Sequence, residues 1–146
     1  MKKEFFKLDE CEPLIRKTLE KGGTFKFYPR GTSMEPTIHA GRDMVVLSPL
    51  PDCLRKYQIV LYKRTNGAFV LHRIIKVKGS CCTMRGDNQF VSEPGIQKEQ
   101  MIGMVTQIIC NGDVIPVNDT RHRIAAALWV KTALPRRVWR HFFSCR

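Results

Sequence analysis

The chain of 146 residues lacks several things that would settle its class at once. No run of about 18 apolar residues occurs, so no helix is expected to span a bilayer. The opening residues, MKKEFFKLDE, have no apolar stretch of the kind a signal peptide needs. None of the six cysteines (Cys11, Cys53, Cys81, Cys82, Cys110, Cys145) falls in a C-x-x-C pair or beside histidines at zinc spacing. No metal site is therefore expected, and the thiols read as reduced, in a reducing compartment. Acid is scarce: 13 Asp and Glu stand against 25 Lys and Arg, a net charge of +12. Such a balance implies an anionic partner: nucleic acid, a membrane surface or an acidic peptide. No interleaved aromatics or nucleic-acid motif accompany it, which disfavours nucleic acid. Internal repeats and low-complexity segments are absent. These features together predict a cytoplasmic protein.

What is present fits one domain. The length suits a single core, and a hydrophobic fraction of 43% is that of a globular chain. Residues 1–23 carry a helical pattern. Asp9 reads as its N-cap, Leu14, Ile15, Thr18 and Leu19 as its apolar stripe, and Gly22-Gly23 as its stop. Residues 24–118 read as β: short alternating or apolar runs separated by turn signals, with no βαβ alternation. The strands expected are 24–30, 44–47, 57–63, 68–77, 81–84, 101–109 and 114–117, with a polar loop over 89–100. Thr65-Asn66-Gly67 and Asn111-Gly112-Asp113 are hairpin turns. Residues 119–146 form a basic tail with seven Arg and Lys and no acid beyond Asp119. Ile124–Leu134 is helix-prone, Pro135 breaks it, and Val138, Trp139, Phe142 and Phe143 follow. This tail suits an anionic membrane surface; equally, it could lie on the core with its arginines in solvent.

One octet has the character of a site. Gly31-Thr32-Ser33-Met34-Glu35-Pro36-Thr37-Ile38 cannot continue a helix or strand. Pro36 fixes its own φ and restricts Glu35, and Gly31 allows a sharp turn. Ser33 is thereby held at a corner after a strand, as a nucleophile must be. His72 follows at the end of an apolar run, on one strand face with Val70 and Ile74. The turn Arg85-Gly86-Asp87-Asn88 comes next. A serine, a histidine and an acid are the groups that acyl transfer requires.

The octet, together with Gly41-Arg42-Asp43-Met44-Val45, resembles the nucleophile box of type I signal peptidases and LexA-like self-cleaving proteins. Gln58-Ile59-Val60-Leu61-Tyr62 resembles their next strand. Leu71-His72-Arg73-Ile74-Ile75 resembles the box that carries the general base. Arg85-Gly86-Asp87-Asn88 and Met101-Ile102-Gly103-Met104-Val105 resemble the last two boxes. The likeness runs from about residue 24 to residue 109, in order. It implies a mainly β, barrel-type fold with a short N-terminal helix and a helical basic tail. It also implies Ser33 as nucleophile and His72 as base, as in the histidine-type signal peptidases of archaea, the endoplasmic reticulum and some Gram-positive bacteria. Lys76, four residues on, is the weaker candidate for the base. The orienting acid would be Asp87 or Glu93. The relatives favour the later position, but here it is a longer glutamate followed by Pro94. Thr32, Met34 and Pro36 would line the substrate site. The Ser33 N–H would be one oxyanion donor. Signal peptidases often add a hydroxyl two residues before the nucleophile; here that residue is Gly31, and Thr32 is the nearest substitute. His39, His122 and His141 match no box and are expected at the surface.

The resemblance implies a serine endopeptidase that needs no cofactor or metal and takes its peptide or precursor substrate extended, with small residues next to the cut. A chain with no membrane span would act on a dedicated peptide inside the cell, either free or peripheral to the inner face of the membrane. Two other readings are a LexA-like regulator that cuts itself and an inactive peptide-binding module. The helix over residues 9–21 is too short and too isolated to be a helix-turn-helix module.

Overall fold

The computed structural model of the protein describes residues 7–133 and Arg136. The chain is mainly β. Helix α1 (Leu8–Glu20) precedes strands β1 (Phe25–Phe27), β2 (Asp43–Ser48), β3 (Ile59–Lys63), β4 (Phe69–Lys78), β5 (Cys81–Arg85), β6 (Glu93–Gln97), β7 (Met101–Cys110) and β8 (Asp113–Pro116). Helix α2 (Thr120–Lys131) follows. The strands pair antiparallel in the order β1-β2-β7-β3-β4-β5-β6, with β8 added to β7.

The expected barrel does not close: among the described residues β1 and β6 end the sheet without pairing to each other. Both are poor closing strands. β1 has three residues and runs on towards Pro29, and β6 carries Pro94 and Gly95. Register shifts at Val46/Leu47, Leu61/Tyr62, Ile74/Lys76 and Cys82/Met84 interrupt the ladders, and such bulges bend a sheet.

β3 is the central strand and is buried on both faces. Ile59 and Leu61 join one apolar cluster with Ile15, Leu19, Met34, Ile38, Val45 and Val105. Val60 and Tyr62 join the other with Ile74, Met84, Ile96 and Met101. The alternation follows from the two-residue period of a strand.

α1 covers the first cluster. Its inward stripe is Leu8, Cys11, Ile15 and Leu19, at helical spacing, with Ile15 and Leu19 buried and the other two partly so. Leu14, expected in the stripe, is 59% exposed. Asp9 is not the N-cap: Lys7 holds that position, and Asp9 with Glu10 lies in the first turn, where negative charge suits the helix dipole. Glu12 accepts from Lys63 Nζ at 2.6 Å, tying α1 to β3. Gly103 allows the helix to settle on β7, since a Cβ there would meet Leu19 Cδ1 at 2.7 Å and Ser48 O at 3.1 Å.

Two further expectations are corrected. The polar loop over 89–100 contains β6 and a three-residue 3-10 turn, because Ile96 is buried against the second cluster and pairs with Cys82. The C-terminal helix begins at Thr120, four residues before Ile124, because the Asp119 carboxylate caps it by accepting from His122 N–H at 2.8 Å. This helix lies on the core: the Trp129 indole donates to Asp87 O at 2.8 Å, and Arg85 Nη2 donates to Val130 O at 3.2 Å. Its apolar residues do not form one stripe, since Ala126 is buried while Ile124 and Leu128 are exposed. The expected helix end at Leu134 and the aromatics Trp139, Phe142 and Phe143 lie outside the described residues. No helix among the described residues is long and apolar enough to cross a membrane.

The α1 stripe is directly testable. Ile15→Ala is expected to lower the free energy of unfolding by about 2–5 kcal/mol. Leu14→Ala is expected to change it by about 0.5 kcal/mol or less. Urea denaturation of the two variants measures both.

Candidate active site

The nucleophile loop follows from β1. Gly31 takes φ +79°, a left-handed conformation that other residues adopt only under strain. The chain then coils tightly: Glu35 N–H donates to Thr32 O at 3.2 Å, and Ile38 N–H donates to Met34 O at 3.0 Å. Met34 and Ile38 anchor the turn in the core at 4% and 2% exposure. Ser33, between them and the exposed Thr32, is half-buried. At the far end, Asp43 holds the exit of the loop. Its carboxylate takes Arg42 Nε at 2.6 Å and His39 N–H at 2.8 Å, and the Arg42 guanidinium brings its pKa down to about 2.

His72 lies on β4, opposite Val60 of β3, with 3% exposure. Its ring shares a face with Val70 and Ile74, as the alternation predicts. Ser33 and His72 line one cleft of about 230 Å³, together with Met34, Arg64, Leu71 and Gln89.

The Gly86-Asp87-Asn88 turn joins the two. A Cβ on Gly86 would lie 2.5 Å from Ser33 O and 3.1 Å from His72 Nε2. Both atoms therefore close on one point, and only glycine fits there. Asn88 N–H donates to Ser33 O at 2.8 Å, and its Nδ2 donates to Thr32 O at 3.1 Å. The nucleophile loop is thus clamped to the turn through its backbone, leaving the serine side chain free of that task.

Neither expected acid bonds to His72. Asp87, a candidate orienting acid, is engaged elsewhere. Its two oxygens take Arg73 Nε and Nη2 at 2.7 Å each, and the Thr37 hydroxyl donates to Oδ2. Arg73 and Asp87 are both about 1% exposed at the side chain. A buried guanidinium needs such a partner, so Arg73 commands this carboxylate. Glu93 accepts from Arg64 Nε at 2.9 Å and Arg64 Nη2 at 2.8 Å. It reaches the histidine only through Tyr62, whose hydroxyl donates to Glu93 Oε2 at 2.8 Å and stands 3.2 Å from His72 Nδ1.

Electrostatics keep the histidine neutral. Burial pushes its pKa down to about 4, and the nearby Arg64 charge acts the same way. Hydrogen bonding from Arg64 lowers the pKa of Glu93, so the glutamate stays ionised. At neutral pH His72 is therefore an unprotonated imidazole able to accept a proton.

The remaining candidates divide. Met34 lines the cleft but is itself part of the core. Pro36 is exposed and does not line the cleft. Thr32 is exposed, with its carbonyl bonded to Asn88. Lys76, the alternative base, is exposed beyond the register shift at Ile74/Lys76 and does not line the cleft. His39 Nδ1 accompanies Arg42 and Asp43. His122 is half-buried with its Nε2 unpaired, not at the surface, and His141 lies outside the described residues. Among the described residues no cluster of His, Cys, Asp and Glu could hold a metal ion.

Sequence reasoning missed Tyr62, Arg64 and Arg73. The signal for Tyr62 was available. The Thr65-Asn66-Gly67 turn sets a register in which residue 62 faces 70 and residue 60 faces 72. Tyr62 is thus a diagonal neighbour of His72, and a buried phenol requires a partner.

No protein-family model matches this chain, and no curated protein matches it either.

Two measurements probe these roles. Asp87→Ala leaves Arg73 charged and buried without its carboxylate, and is expected to cost about 3–5 kcal/mol of stability by denaturant unfolding. The depressed His72 pKa sets a second expectation. The unfolded chain binds a proton near 6.5 that the folded histidine refuses until about 4. Stability is therefore full above about pH 6.5 and falls as pH drops towards 4. His122, whose pKa burial also lowers, contributes with the same sign. Thermal unfolding across this window should show the decline, with a shallower slope in His72→Gln.

Proposed function

We propose that the protein is a serine endopeptidase with a core of the signal-peptidase and LexA-like type, using a histidine base. The observation that carries this reading is the shared cleft of Ser33 and His72, two residues that also close together on Gly86. In the proposed reaction Ser33 Oγ attacks a peptide carbonyl. His72 takes the hydroxyl proton and returns it to the departing amine. Water, deprotonated by the same imidazole, then hydrolyses the acyl-enzyme and restores the serine. A neutral, desolvated imidazole supports the base role without the strong pKa shift that a lysine would need.

The sheet offers a seat for an extended substrate. Residues Phe69–His72 pair with β3 on one side, while β5 ends at Arg85, opposite Arg73, and does not run alongside them. Among the described residues no strand pairs with the other edge of Phe69–Leu71, beside the cleft, and a peptide strand can add there. An apolar groove of about 390 Å³ continues from it, lined by Phe25, Phe27, Phe69 and Leu71, with Lys7 and Lys26 among the residues around it. A substrate with apolar anchors and an acidic leader fits both the groove and the net charge of +12. A precursor peptide processed inside the cell is the class of substrate proposed.

Digestion of a peptide library, read by mass spectrometry, tests this. The wild-type protein should cut, and Ser33→Ala and His72→Gln should each lower kcat/KM by at least about 10³-fold. The acid limb of the wild-type kcat/KM profile should lie near pH 4, following the free-enzyme histidine. Full activity in His72→Gln would remove the proposed base. A wild-type protein that leaves every peptide intact would remove the reading altogether.

A further inference from the structure

We propose that Tyr62 is a positioning residue: its hydroxyl, committed to Glu93, fixes the tautomer of His72 so that the bare nitrogen faces Ser33. It thereby occupies the place between base and acid where a carboxylate would otherwise bond the imidazole directly.

The inference follows from counting protons. A phenol has one O–H. An ionised carboxylate can only accept, so the 2.8 Å contact between Tyr62 and Glu93 Oε2 consumes that proton. The same oxygen stands 3.2 Å from His72 Nδ1. With its proton already given, the oxygen can only accept there, and Nδ1 must carry the hydrogen. In a neutral imidazole the other nitrogen, Nε2, then holds a free lone pair. Nε2 is the nitrogen that closes on the same point as the Ser33 carbonyl, beside Gly86.

Each part of the relay is fixed. Tyr62 is 0% exposed and rests on β3 in the cluster of Val60, Ile74 and Met84. Arg64, two residues along the same strand and its turn, grips both oxygens of Glu93. The fork prevents Glu93 from rotating away and keeps it charged. Tyr62 itself resists ionisation, since burial raises its pKa and Glu93 adds to the effect. Glu93 thus acts on the histidine at one remove, and its extra methylene, compared with aspartate, reaches the phenol rather than the ring.

The tautomer assignment stands on these bonds alone; its kinetic consequence rests on the peptidase reading above. The test uses the full chain labelled with ¹⁵N-histidine, whose ring shifts report which nitrogen bears the proton. Wild-type His72 is expected as the Nδ1–H form at pH 7. Glu93→Ala frees the Tyr62 proton to donate to Nδ1, so the tautomer is expected to move towards Nε2–H. Tyr62→Phe keeps the ring in the core and removes only the oxygen, so a mixture of tautomers is expected. In peptide cleavage, kcat should fall about 10–100-fold in either variant, with KM little changed. The double variant should lose no more than the worse single one, because both act through one chain of bonds. Two results would overturn the proposal: a wild-type His72 protonated on Nε2, or a tautomer that ignores both substitutions. Should the labelled spectra agree while no variant or wild type cuts any peptide, the positioning chain stands and the peptidase reading falls.

Discussion

Everything around the cleft depends on one buried ion pair, Arg73 with Asp87. Both side chains are about 1% exposed, and charges so far from water are tolerated only when nearly every donor and acceptor is matched. Here the matching is close to complete. Arg73 spends Nε and Nη2 on Asp87 and Nη1 on the Tyr57 carbonyl at 2.8 Å. Asp87 also accepts from the Thr37 hydroxyl, and its carbonyl accepts from the Trp129 indole. Four parts of the chain far apart in sequence therefore meet at one residue: β4 and the nucleophile loop at the Asp87 carboxylate, α2 at its backbone carbonyl, and the turn after β5 that carries it. The geometry of Ser33 and His72 is set by this knot more than by any contact between the two.

Such an arrangement divides labour between two acids that the sequence cannot separate. Asp87 lies one residue from the glycine that touches the site, yet its charge holds the scaffold together. Glu93 comes six residues later, in a strand that composition reads as loop, and its charge reaches the imidazole through a phenol. One acid keeps the parts assembled and the other keeps a proton where it is needed. Loss of Asp87 would strand a buried guanidinium, whereas loss of Glu93 would release a phenol proton beside the imidazole.

Much of the fold was legible from the chain. The central strands were expected from apolar runs bounded by turns, and the face of β4 that carries His72 followed from simple alternation. The corner that presents Ser33 followed from Gly31 and Pro36. What the sequence hid were effects of tertiary context. Cys81–Arg85 offers β6 a backbone partner that no local propensity announces, so residues 93–97 become a strand despite Pro94 and Gly95. Leu14 looks like core but faces water, because the stripe of α1 runs through Cys11 and Ile15. Barrel closure depends on whether two distant edges meet, and the brevity of β1 prevents it. At the site, residue types were readable but their pairing was not. A histidine packed against a glycine-aspartate turn invites the wrong acid until Arg73 is seen to claim it.

The open side of β4 at Phe69–His72 has a cost of its own. A strand edge without a paired neighbour can welcome an extended chain, including another copy of this one. The whole molecule repels its own kind through a charge of +12. Mutual repulsion thus guards against self-assembly at this edge. The guard is electrostatic and weakens as ionic strength shortens its reach, so tolerance of crowding at this edge depends on salt.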